Sequence, residues 1–312
     1  MADIVTLTPN PAVDLSTSTE RIVPVMKMRC QAPKRDPGGG GVNVARVVRR
    51  LGGSVEAILP VGGFTGQLLR RLIADEGVPS RVVEVEAETR EDFAVSEQSS
   101  AQQYRFVLPG LPLHEAEWRA CLDALAATTP PPKFVVGSGS LPPGVPEDFY
   151  AQAAQIARRL GARFALDTSG APLKAALAFG AYLIKPNLRE MCELAGAQLA
   201  GSRDWIAAAR QFIEAGKVEV VALSLGHRGA YLVTRDLALH ARPLPIHPVS
   251  AVGAGDSFLG TMIYALAKGD DLTAAFRLAA AAGAAALIHE GTELARPADI
   301  HRLSAQVVIA PL

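Results

Sequence analysis

One carboxylate stands out by its setting. In VGAGDSFLG, Val252–Gly260, Asp256 follows Gly253, Ala254 and Gly255 and precedes an apolar run with helical spacing. An acid ahead of such a run can satisfy free N–H groups and the positive end of a helix dipole. A cap works equally well beside bulky neighbours, however. The tiny residues therefore point to a backbone that something else must approach closely.

A second bare stretch, DPGGGGVNVARVV (Asp36–Val48), sets four glycines before another helical pattern. Successive glycines cost ordering entropy that a plain connection has no reason to bear. A helix N-terminus following them suits an anion. The dinucleotide fingerprint does not fit, because Asn43 holds the third glycine's place and Gly62 and Gly63 fall near the ribose acid's position. G-x-x-x-x-G-K-[ST] is also absent.

Three further features follow strand-like runs. SGSLPPG (Ser138–Gly144) places serine hydroxyls, Ser140 among them, at the end of KFVVG. In IKPNLRE (Ile184–Glu190), Asn187 and Glu190 share one face of a starting helix. Two oxygen donors there suit a hydrated Mg²⁺, or else form a capping box. SLGHRGA (Ser224–Ala230) offers Gly226 and Gly229 to a nucleotide, or makes an ordinary hairpin turn. With the two glycine stretches, five such features are more economically read as one site than as five accidents.

The elements that must position them alternate. Ile4–Thr8, Val55–Gly62, Lys133–Gly139, Arg163–Ser169, Tyr182–Asn187 and Val218–Gly226 read as buried strands. Helical patterns such as NVARVVRRLG and EDFYAQAAQIARRLG lie between them and end in glycine. The pattern predicts an α/β fold, a mostly parallel sheet with helices on both faces. Ligands collect beyond the carboxyl ends of such strands.

Two insertions, near 12–36 and 88–108, break the alternation and read as extra antiparallel strands. They predict a small sheet that covers the site as a lid or pairs with another subunit. Lys27 and Arg29 lie in the first insertion, Arg90 and Arg105 in the second. If the two make one lid, four cations converge, equipping it for a phosphorylated small molecule. Asp14 suits sugar hydroxyls or a turn.

Lysine plus arginine equals aspartate plus glutamate, 31 each. That balance leaves no net field for nucleic acid or an anionic membrane, and sparse aromatics argue against base stacking. Cys30, Cys121 and Cys192 are far apart and form no disulfide framework or zinc pattern. The N-terminus lacks a signal-peptide layout, and Leu278–Ile288 is about half the length that spans a bilayer. A soluble, cytoplasmic chain is expected.

NPAVD, PGGGGVNVARVVRRLGG, SGSLPPG, KPNLRE, SLGHRGA and VGAGDSFLG occur together in this order. The chain thereby resembles the ribokinase-like carbohydrate kinases over nearly its whole length, and within them the phosphofructokinase B branch. KMRCQAP, TRED and QYRFVLPG resemble the minor, ribokinase-type 6-phosphofructokinases. The resemblance implies one ribokinase-like domain over 1–312, with a β lid that mediates homodimers. It implies transfer of the ATP γ-phosphoryl group, with Mg²⁺, to a sugar phosphate, fructose 6-phosphate giving fructose 1,6-bisphosphate. Tagatose-6-phosphate kinases and 1-phosphofructokinases are the neighbouring alternatives. A sugar-phosphate-binding regulator without catalysis is the alternative of another kind.

By the same resemblance, Asp256 is the base and Gly253, Ala254 and Gly255 the anion hole. Asp14, Gly39 and Asn43 hold the sugar, and Lys27, Arg29, Arg90, Arg105 and Ser140 surround its phosphate. Lys185, Asn187, Glu190, Ser224, Gly226 and Gly229 face ATP and its metal. Relatives also bind a monovalent cation such as K⁺ near the segment where this chain has Ser250-Ala251-Val252 instead of Asp-Thr-x. His289 falls near the expected adenine pocket, and Gly40 stands where related kinases often carry lysine. The anion hole explains the tiny residues, since side chains there would block the phosphate. A helix N-terminus lowers a carboxylate's pKa, which a loose phosphoryl-transfer transition state tolerates in its base.

Overall fold

A computed structural model describes every residue except Met1, Ala251 and Glu290. The first run, IVTL, is apolar on both faces and so needs cover on both. It forms β1 (Ile4–Leu7), with Ile4 in one core cluster and Val5 and Leu7 in the other. β2 (Ala12–Thr19) and β3 (Lys34–Gly38) follow, then α1 (Gly40–Arg50), β4 (Val55–Val61), α2 (Gly63–Asp75) and β5 (Ser80–Glu84). β6 (Arg90–Glu97) and β7 (Gln102–Phe106) precede α3 (Glu115–Ala126) and β8 (Phe134–Ser138).

The alternation then resumes with α4 (Phe149–Arg159), β9 (Arg163–Asp167), α5 (Gly170–Leu177) and β10 (Ala181–Ile184). α6 (Leu188–Ala195), α7 (Ser202–Glu214), β11 (Val218–Ser224), β12 (Ala230–Val233) and β13 (Ala238–Ala241) come next. α8 (Ala254–Lys268), α9 (Leu272–Leu287), α10 (Pro297–Ser304) and β14 (Ile309–Pro311) complete the chain.

Among the described residues the main sheet runs β14-β13-β12-β11-β10-β9-β8-β1-β4-β5. From β11 to β5 every pairing is parallel, while β12, β13 and β14 add an antiparallel edge. α1, α2, α8, α9 and α10 cover one face, and α3 to α7 the other. From β1 the order grows one way through β4 and β5 and the other way from β8, so β1 and β8 flank the switch point. A crevice opens there, outside the strand ends.

The second sheet runs β3-β2-β6-β7. β2–β3 and β6–β7 are antiparallel, as the insertions predict. The seam between them is parallel, with Ala12 opposite Arg90 and Thr19 opposite Glu97. Its physical reason is that β2 and β6 belong to separate insertions leaving the main sheet in the same direction, so no hairpin turn dictates their sense.

Candidate active site

The start of α8, Gly253 to Asp256, is partly exposed. Gly253 caps it at φ +73°, a left-handed conformation that costs most residues strain, and a side chain there would strike Leu294. Asp256 sits in the first turn but makes no capping bond. Its Oδ2 instead accepts a hydrogen bond from Asn43 Nδ2 at 2.9 Å. The simple cap reading therefore does not describe this residue.

Lys185, just beyond β10, is 6% exposed and pairs with Asp167 Oδ2 at 3.1 Å. Its Nζ would lie 3.1 Å from a Cβ added at Gly255, so the ammonium faces the bare helix start. Burial works against its charge, but Asp167, Asp256 and Glu190 more than offset that, and its pKa rises. Asp256 moves the other way from the helix-dipole expectation. Burial and then Asp167 push its carboxyl up to about 6, against the Asn43 hydrogen bond and the charges of Lys185 and Arg105.

The glycine stretch passes over the switch point. Gly39, at φ +100°, caps α1 so closely that a Cβ would lie 2.9 Å from Thr8 Cγ2 and 3.0 Å from the Pro11 Cα. A side chain at Gly40 would land on Ser138 Oγ, so a lysine there has no room without moving that serine. Asn43 is 6% exposed and faces Asp256 from the first turns of α1. Asn10, just after β1, donates to Ser140 Oγ at 3.2 Å, joining the ends of β1 and β8.

The small sheet supplies the remaining charges. Burial and then Asp92 push the Asp14 carboxyl up to about 7, with Arg46, Arg90 and Arg105 opposing. Arg90 grips both Asp92 oxygens at 2.7 Å, and reaches the backbone oxygens of Leu108 and Asn10. Arg105, opposite Ala94 on β7, is exposed.

Of the four expected cations, Arg90 and Arg105 act on the Asp14 carboxyl. Lys27 and Arg29 lie exposed on the long connection from β2 to β3, with no ion pair among the described residues. The buried Arg46 also acts on Asp14. The 14-residue connection that carries Lys27 and Arg29 leaves the sheet before it returns.

Asn187 and Glu190 form the capping box at the start of α6. Asn187 Oδ1 accepts from the Glu190 N–H and Glu190 Oε2 from the Asn187 N–H, each at 2.9 Å. Among the described residues no group of three or more His, Cys, Asp or Glu gathers to hold a metal. Ser224 donates to the Pro186 carbonyl at 3.4 Å. Gly226 begins a single 3₁₀ turn and Gly229 ends it, joining antiparallel β11 and β12 as a hairpin connection.

Ser250 Oγ donates to the Gly291 carbonyl at 2.7 Å, while Ala251 lies outside the described residues. His289 Nε2 lies 3.0 Å from Asp299 Oδ2 on α10. The described cysteines are free, and no described helix is long and apolar enough to cross a membrane.

Sequence reasoning missed Asp167, Asn10, Asp92 and Arg46. Asp167 had a signal, an acid closing the apolar strand FALD at its carboxyl end. The other three sit in ordinary turn, strand and helix contexts, and only folding brings them to the site.

Residues 8–299 match the pfkB family of carbohydrate kinases, and the chain belongs to that family. Its fold is ribokinase-like, as the motif order implies. It is 46% identical over 299 residues to the ATP-dependent 6-phosphofructokinase isozyme 2 of Mycobacterium tuberculosis, covering 96% of this chain and 88% of that one. The isozyme 2 of Escherichia coli is 42% identical over 306 residues, covering 98% and 99%. A crystal structure of Escherichia coli phosphofructokinase-2 with substrates and products superimposes with a TM-score of 0.94 at 41% identity, over 98% of this chain and 99% of that one. The chain is accordingly a phosphotransferase of the carbohydrate kinase class.

Proposed function

We propose that this kinase transfers the γ-phosphoryl group of ATP to the free primary hydroxyl of fructose 6-phosphate, giving fructose 1,6-bisphosphate and ADP. The observation that carries the reading is the half-buried Asp256 carboxylate at the bare start of α8, hydrogen-bonded to Asn43 and faced by Lys185 across Gly255. The names of the relatives at 42–46% identity support the choice of sugar.

In this reading the sugar oxygen attacks the γ-phosphorus, the bond to the bridging oxygen of ADP breaks, and the hydroxyl proton passes to Asp256. The N–H groups of Gly253, Ala254 and Gly255, with the Lys185 ammonium, hold the charge on the moving group. Asp14, Gly39 and Asn43 hold the sugar, and Ser140, Arg90 and Arg105 its existing phosphate. Ser224, Gly226 and Gly229 border the nucleotide. Mg²⁺ bound with ATP would neutralise phosphate charge. With their capping bonds made, Asn187 and Glu190 fit only an outer role toward the waters of that ion. A K⁺ site near Ser250 belongs to this reading.

The small sheet closes over the sugar, and a second copy pairs with it. Val25, Met26, Phe106 and Val107 are exposed apolar residues that this pairing would cover, and it would give Lys27 and Arg29 a phosphate to bind. Light scattering on wild type and on Val25→Ser/Met26→Ser checks the dimer.

The function is tested by coupled assays on fructose 6-phosphate, fructose 1-phosphate and tagatose 6-phosphate, with Asp256→Asn as control. Fructose 6-phosphate should have the highest kcat/KM. The variant should fold, bind ATP, and lose about 10²–10⁴-fold in kcat. A preference for another sugar overturns the substrate, and a fully active variant overturns the role of Asp256.

A further inference from the structure

Glu76, Arg46, Asn43 and Asp256 form an unbroken line of hydrogen bonds from the end of α2 to the start of α8. Arg46 donates through Nε to Glu76 Oε1 at 2.9 Å, and through Nη2 to the same oxygen. Its Nη1 donates to Asn43 Oδ1 at 2.9 Å and to the Pro37 carbonyl on β3 at 2.7 Å. Asn43 Nδ2 then donates to Asp256. We propose that Arg46 is a positioning residue for phosphoryl transfer, fixing the Asn43 amide so that nitrogen, not oxygen, faces Asp256.

The two ends of the Asn43 amide are nearly equal in size, so packing alone does not choose between them. With oxygen toward Asp256 two acceptors would face each other. A guanidinium has donors only, so an Arg46 held in place can donate to Asn43 Oδ1 but leaves no acceptor for Asn43 Nδ2 on its side. Asn43 and Arg46 are three apart on α1 and share a face. Glu76 and the β3 backbone hold the guanidinium still.

The burial of Arg46 argues against a general stabilising role. Its side chain is 1% exposed, and a buried ion pair seldom stabilises more than apolar side chains filling the same volume. Lysine could not replace it, since one ammonium on a flexible stem cannot meet Glu76, Pro37 and Asn43 in fixed directions. The link to β3 also sets Asn43 relative to the small sheet. Asp36 on that strand lies 3.8 Å from Nη2 and accepts a 2.7 Å hydrogen bond from Thr292.

This inference rests on Asp256 as the proton acceptor. The test is a double-variant cycle in the full chain with Arg46→Met, Asn43→Ala and the pair, following kcat, both KM values and melting. Arg46→Met should lower kcat about tenfold or more per folded molecule and leave KM for ATP within about twofold. In the Asn43→Ala background it should lower kcat no further. Equal losses in both backgrounds, or no loss in kcat, overturn the proposal. If Arg46→Met does not fold, the half-buried Glu76→Gln replaces it. Its smaller kcat loss, about two- to fivefold, should likewise vanish without Asn43, and persistence of the loss overturns the proposal. Asp256→Asn separates the two failures. Full activity there removes the acceptor role itself, whereas a crippled Asp256→Asn with an additive cycle removes only the part of Arg46.

Discussion

Asn43 Nδ2 donates to Asp256 Oδ2 across 2.9 Å, although 213 positions separate the two residues. That bond joins the N-terminal turns of α1 and α8, so both glycine stretches serve one carboxylate. It also opposes the rise in the carboxyl's pKa, keeping Asp256 ionised over more of the neutral range.

The pH dependence of turnover follows from that carboxyl. A base works only when deprotonated, so kcat/KM for the sugar phosphate should fall as pH drops through about 6. Asp167→Asn removes the negative neighbour that helps raise this value, and should move the acid limb to lower pH. Profiles of kcat/KM against pH for both proteins check it. An unmoved limb would mean that Asp167 does not act on the base.

Asp14 should cost stability where it is charged. Its folded pKa is about 7 against an ordinary 3.8, so its favourable contribution is complete only below about pH 4. It is lost as pH rises through 7, when the folded state must hold a poorly solvated charge beside Asp92. Asp14→Asn should therefore melt a few degrees higher at pH 8, on the order of 1 kcal/mol, and gain nothing at pH 4. The same variant should raise KM for the sugar phosphate well above any change for ATP. Thermal melts at the two pH values and steady-state kinetics decide both halves.

Gly255→Ala separates helix stability from chemistry. Alanine is the better helix former by up to about 1 kcal/mol, so the melting temperature should hold or rise. The new methyl would lie 3.1 Å from Lys185 Nζ and cover the approach to the helix start. We expect kcat to fall about tenfold or more. A variant as fast as wild type would show that nothing needs the space above Gly255.

Glu190→Gln distinguishes a cap from a metal contact. Glutamine completes a capping box as well as glutamate, so the melting temperature should change by no more than about 1 °C. A carboxylate facing the waters of Mg²⁺ has no such substitute, and the Mg²⁺ needed for half-maximal rate should rise severalfold. Titration of activity with Mg²⁺ at fixed ATP reads this directly. An unchanged requirement would leave Glu190 with the cap alone.

Much of the fold was legible because its signals are local. Runs such as VEVVALS must be covered on both faces, which already implies helices on each side of a parallel sheet. The parallel seam between β2 and β6 was not legible, since nothing near either strand records which strand pairs with it. The places of Lys27 and Arg29 were not legible either, for a related reason. Charge counts along two insertions do not say which residues point back over the site.

The order of glycine stretches, serine turn, capping box and acid was determined by the sequence itself. Each depends on conformations and hydrogen bonds made within a few residues, and together they identify the family. Tertiary structure alone decided what Asp256 is as a chemical group. Its proton affinity depends on lost water, on Asp167 and Lys185 from other strand ends, and on an amide from α1. Those neighbours act through space, and only the folded chain brings them together.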